Sequence, residues 1–166
     1  MQKNVDRLIH VRILTLFYIL ALVLSGITAF PLFWETKILC QWFGEGTYAG
    51  GRFPGLACWL GYIHEGIAYN ATHYPFYAYG TDWLAFSHIV IAVFFVGVLI
   101  DPARNIWIVK AGLCACLLVP VLAFSCGRLR GIPLYWQLID SSFGVFGSIP
   151  LLMIHQWIRK GVQPHQ

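Results

Sequence analysis

Residues 82–101 read DWLAFSHIVIAVFFVGVLID. Between the two acids lie eighteen residues, Trp83 to Ile100, with one ionisable side chain among them, His88. A helix rising about 1.5 Å per residue covers roughly 27 Å over that run, close to the hydrocarbon thickness of a bilayer. The stretch therefore predicts a membrane-spanning helix with a polar group inside it. Asp101-Pro102 ends it sharply, because proline forces the residue before it out of helical geometry.

Three further apolar runs follow the same pattern. Residues 13–34 carry no charge, with Ser25 and Gly26 near the middle and Pro31 near the far end. Residues 106–126 form a third span, which Pro120 is expected to kink. Residues 134–158 form a fourth, with Pro150 inside. The basic start followed by an apolar stretch resembles a signal peptide, but the stretch is too long for an h-region and no small-residue cleavage site follows it. It is read as a retained helix.

Composition agrees. Of 166 residues 58% are hydrophobic and 11% charged, with a mean hydropathy of +0.68. Soluble domains carry about 25% charged residues. Lys and Arg sit at the ends of apolar runs rather than in a basic stripe, which excludes a nucleic-acid partner.

Between the first and second spans, residues 35–53 read as a loop interrupted by glycines. Residues 54–69 read as a short interfacial helix that begins at Pro54, a good first helical position. His64–Glu65 makes it too polar and too short to cross. Cys58, Gly61, Glu65 and Ala68 share one narrow face of it. Tyr62, Tyr69, Tyr74, Tyr77 and Tyr79 suit the aromatic belt at a membrane boundary. The fold expected is an all-α integral membrane protein: one domain over 1–166, a bundle of four transmembrane helices with an interfacial helix between the first two.

Orientation follows from the basic residues. With four spans and both termini cytoplasmic, Lys3, Arg7, Arg12, Arg104, Lys110, Arg159 and Lys160 lie inside, and Lys37, Arg52, Arg128 and Arg130 outside. That seven-to-four split follows the positive-inside rule. A fifth span at 54–70 would put five inside and six outside, a weak inversion. Four spans also gather Glu35, Glu45, Glu65, Asp82 and Asp140 toward the outer face.

The candidate ligand-binding residues come from that outer cluster. His88 and Asp140 lie inside spans, where ionisable groups are costly and face the bundle interior. Asp140 sits on a face with Gly144 and Gly147, and Arg128 or Arg130 is its expected ion-pair partner. Glu65, His64 and Asp82 complete the polar set, with Trp83, Trp136 and Trp59 as apolar walls. The bland alternatives are a histidine satisfied by a neighbouring helix, a structural ion pair and a solvated interfacial pair. His64–Glu65 is no metal motif, since HExxH needs two histidines one turn apart, and no metal site is expected. A haem would need two facing histidines; His64 with His88, or His10 with His155, are the pairs available. Neither lies mid-span on two long helices.

The five cysteines include no CxxC and read as small packing residues. Cys40 and Cys58 would pair only if their loop lies outside the cytoplasm. Asn70-Ala71-Thr72 matches a glycosylation sequon.

The function expected is binding of a lipid-like or other amphipathic small molecule in an outer-leaflet pocket. The alternatives are an intramembrane enzyme using His/carboxylate acid–base chemistry and an accessory subunit of a larger membrane complex. Membrane lipids are the expected surroundings, and the Gly144/Gly147 face would serve homo-oligomerisation if internal packing left it open.

Overall fold

The run around His88 is part of helix α5, Phe76–Ile100, which begins seven residues before the apolar core of the span. This computed structural model describes residues 2–161, with side chains from residue 6 onward. Every regular element among the described residues is a helix: α1 Gln2–Ala29, α2 Leu32–Phe43, α3 Tyr48–Arg52, α4 Pro54–His73, α5, α6 Ile106–Leu129 and α7 Leu134–Gly161. Four are long and apolar enough to cross a membrane: Asp6–Ala29, α5, α6 and α7. Many of their exposed residues are large and apolar. Leu117, Leu118, Val121 and Leu122 of α6 are 73, 58, 61 and 63% exposed. Water would not tolerate such a continuous patch, whereas lipid is its natural solvent.

The region expected as a loop differs. Residues 35–53 contain most of α2 and all of α3. The glycines punctuate helices rather than replace them. α2 ends at Gly44, and Thr47 N–H bonds the Gly44 carbonyl at 3.2 Å, closing a turn. Gly46, at φ 83°, takes the left-handed position glycine favours. Thr47 then caps α3 by accepting the Gly50 N–H at 2.9 Å. Helix α4 is also longer than the stretch 54–69, at 20 residues. Length alone would let it cross a membrane; its composition keeps it out of the spanning set.

The chain divides into two compact units, Met1–Leu20 with Ala92–Gln166, and Ala21–Ile91. In the first, α6 and α7 pack along their length. Their contact is built on small residues. A Cβ on Gly112 would lie 3.0 Å from Leu151 and 3.1 Å from Phe95, and one on Gly144 would strike the Cys116 carbonyl oxygen. That carbonyl stands one turn before Pro120, whose ring has no N–H to bond it. Proline frees the oxygen and Gly144 brings backbone against it, close enough for a Cα–H···O contact. α6 continues through Pro120 and α7 through Pro150. The Gly144/Gly147 face is thus occupied within the chain: Gly147 faces the Cys116 sulfur and the Tyr18 hydroxyl.

The turns of this unit are tied by side chains. After α5, Asn105 donates its amide to the Gly97 and Asp101 carbonyls at 2.9 and 3.0 Å, and Asp101 accepts the Arg104 N–H at 3.1 Å. α6 ends in a Schellman motif: Ile132 N–H reaches the Gly127 carbonyl at 2.9 Å around Gly131, at φ 68°. Arg7 donates to the Lys160 carbonyl at 2.9 Å, placing a cation at the C-terminal end of α7.

In the second unit, Gly26 of α1 lets α5 come close; a Cβ there would lie 2.8 Å from the Ala85 carbonyl and 3.3 Å from His88 Cβ. α2 packs on α4 through Thr36, 5% exposed, and through Ala57 and Leu60.

Candidate functional site

The candidate residues fall in both units. His64, Glu65, Asp82, Trp83 and His88 belong to Ala21–Ile91, and Arg128, Arg130, Trp136 and Asp140 to the other.

His64 turns inward from α4 toward α2. Its Nδ1 lies 3.0 Å from the Thr36 hydroxyl, and its ring sits 5.4 Å from that of Phe33. The Thr36 hydroxyl already donates to the Leu32 and Phe33 carbonyls, at 3.0 and 3.1 Å. It has one proton to give, so when that proton goes to a backbone carbonyl, His64 Nδ1 is the donor in the bond between the two side chains. Glu65, the next residue, points elsewhere, as a turn of about 100° per residue requires. It is exposed and lines an open groove along α4 with Tyr62, Gly66 and Tyr69. Asp82 and Trp83 line a shallow depression with Phe30, Tyr79 and Phe86. His88 Nδ1 bonds the Leu84 carbonyl of its own helix at 2.9 Å. The polar groups of this unit are therefore distributed among separate surroundings.

In the other unit Asp140 is half-buried on α7 and makes no ion pair with a described residue. The pairing expected with Arg128 or Arg130 is not formed; both arginines are exposed. The Schellman turn carries the chain from α6 into α7 and fixes where those arginines stand. Gln137, one turn before Asp140, is 3% exposed. Its amide donates to the Ile132 carbonyl at 2.6 Å. Trp136 is half-buried. His10 Nδ1 meets the Asp6 carbonyl, and its ring packs edge-on to Trp157 at 5.8 Å.

Among the described residues no three His, Cys, Asp or Glu side chains come together as a metal-ligand set. All five cysteines are free. Cys40 donates its thiol to the Leu60 carbonyl at 3.4 Å, and burial pushes its pKa up. Cys58 is exposed on α4.

The most enclosed concavity described in the second unit is one the sequence did not single out. A half-open cleft of about 310 Å³ lies where the α1–α2 corner meets the end of α4 and the start of α5. Phe30, Phe33, Trp34 and Tyr77 supply aromatic walls, Ile67 an aliphatic one, and Asn70 and Thr81 its polar groups. Pro31 makes it: the chain turns at Phe30–Pro31 and restarts as α2, so that three aromatic side chains leave the corner together. Asn70, read as a sequon residue, lies inside α4 and donates its amide to the Gly66 carbonyl at 2.9 Å. The signal for the cleft was the aromatic run around Pro31. Bounds of 13–34 for the first span hide it, because they carry the helix past Pro31 to Trp34. No protein-family model, curated protein or solved structure matches the chain.

Proposed function

We propose that this is a multi-pass membrane protein, both termini cytoplasmic, that binds an amphipathic small molecule in the cleft between the α1–α2 corner, α4 and α5. The observation that carries the reading is the cleft itself: apolar and aromatic walls with a few convergent polar groups, the usual make-up of a small-molecule site. Its place along the chain supports an amphipathic occupant. Tyr77 and Thr81 precede Trp83, the first residue of the apolar run of α5. Trp34, Tyr74, Tyr77, Tyr79 and Trp83 are residue types that settle at the membrane–water boundary. A ligand there keeps a polar end at the boundary and its apolar part toward lipid. In this reading α2, α3 and α4 lie at the outer boundary and the four long apolar helices cross.

The test is what the protein retains on purification. Ala71 and Ala78 line the cleft and are exposed, so Ala71→Phe with Ala78→Phe fills it without disturbing the buried core. Mass spectrometry of extracts should find a compound held by the wild type and by a Gly61→Phe control, and lost from the filled variant. Equal content in all three would defeat the reading. For topology, an impermeant maleimide on intact cells should label Glu45→Cys above the wild-type background and leave Arg104→Cys unlabelled; the reverse pattern inverts the orientation.

A further inference from the structure

We infer that the cleft selects a neutral, ring-bearing amphiphile that offers a hydroxyl proton, a phenol, quinol or ring alcohol, over an anionic lipid headgroup. This rests on the cleft being the ligand site and goes on to its chemistry.

Three observations lead there. First, no Lys, Arg, Asp or Glu lines the cleft. An anion moved into it would lose hydration with no charged partner to offset the loss. The nearest cation in sequence, Lys37, holds its ammonium 5.1 Å from the centre of the Trp34 ring, so it is already engaged with a π face. Second, the walls are planar. Phe30, Phe33, Trp34 and Tyr77 offer faces and edges that pack rings better than flexible chains. Third, Asn70 and Thr81, set among those walls, have acceptors to spare. Asn70 spends one amide N–H on Gly66, which assigns Nδ2 to that side and leaves Oδ1 without a donor among the described residues. Thr81 spends its one proton on the Ala78 carbonyl at 2.7 Å and keeps its oxygen lone pairs. A ligand with a hydroxyl proton can donate to these acceptors, which one that brings only acceptors cannot do.

The full-length protein in detergent tests this with three probes of one size: 4-hexylphenol, its methyl ether 4-hexylanisole, and 4-hexylbenzoate. Calorimetric titration is corrected against micelles alone. The phenol should bind at least tenfold more tightly than the ether or the carboxylate. Asn70→Leu should bring phenol and ether within about threefold of each other while its thermal midpoint stays near the wild type's. Ala78→Phe should weaken all three. If the benzoate binds tightest, the cleft is an anion site that recruits Lys37 and the inference fails while the small-molecule reading stands. If all three bind alike and Ala78→Phe removes them, the cleft is apolar without headgroup choice, with the same consequence. If none binds above the micelle blank, the inference and the reading beneath it both fall.

Discussion

Two helix pairs in this chain are held together in opposite ways. α6 and α7 meet through glycine: Gly112, Gly127, Gly144 and Gly147 each stand against a neighbouring residue, and Gly144 meets a carbonyl that Pro120 has released. α2 and α4 meet through side chains: Thr36 with His64, and the Cys40 thiol with the Leu60 carbonyl. On α4, by contrast, a Cβ added at Gly61 or Gly66 would meet nothing within 4 Å. Two apolar helices in lipid gain little from hydrophobic burial and associate through close backbone approach. A shorter, more polar helix pair can use directional hydrogen bonds instead. The latched pair stands beside the half-open cleft proposed as the ligand site.

Four changes would break or sharpen this contrast. The largest effect is expected at Gly144→Leu, where even a Cβ collides with the Cys116 carbonyl. Overpacking of this kind costs about 3 kcal/mol, seen as a marked fall in the thermal midpoint in detergent. Gly66→Leu on the open side of α4 should stay within about 0.5 kcal/mol; comparable losses at both sites would erase the distinction. Next is Thr36→Val, which keeps shape and removes the hydroxyl, leaving His64 Nδ1 without its partner at a site 5% exposed. A loss of about 1–2 kcal/mol is expected, and a neutral result would mean that apolar contact alone holds α2 to α4. Thr47→Ala removes the cap of α3 and should cost about 1 kcal/mol, read by the same melting experiment. The smallest effect is chemical. Burial raises the Cys40 pKa, so at pH 8 a smaller fraction is thiolate, the form that reacts. Cys58, exposed on α4, should alkylate faster, and the gap should narrow as pH rises toward the Cys40 pKa. Parallel pH profiles would show that Cys40 is not shielded.

The spans were legible because a helix crossing lipid must satisfy its own backbone and expose apolar side chains all round. That leaves a long uncharged run which no partner helix has to explain. Trp83 to Ile100 is such a run, and α5 contains it. What misled was local. Glycines at 44, 46, 50 and 51 suggest a loop over 35–53, yet Gly44 and Gly46 are cap and turn residues between helices, and Gly50 and Gly51 lie inside α3. Pro31 does interrupt the first apolar run, but the bounds 13–34 extend past it, whereas α1 ends at Ala29 and Leu32 opens a second helix. The candidate site was legible only in its residue types. His64, Glu65, Asp82 and His88 are all in the second unit, but spacing along a helix says which way a residue faces relative to its neighbours, not what stands opposite. So Glu65 was separated from His64 correctly, and neither Thr36 nor Phe33 was foreseen as the partner of His64.

The sequence by itself determined that the chain is helical and that four of its helices are apolar enough to cross a membrane, because these depend on neighbours within a turn or two; of the helix ends it set the one at Ile100, before Asp101-Pro102. Only the tertiary structure decided which glycines are contacts and which are bare. It also decided that the carbonyl released by Pro120 is met by Gly144, and that Phe30, Trp34, Asn70, Tyr77 and Thr81 line one cleft. Those are pairings between residues far apart in the chain. Periodicity carries no information about them, and they are settled by which helix faces can approach without leaving a polar atom unmatched or a side chain in the way.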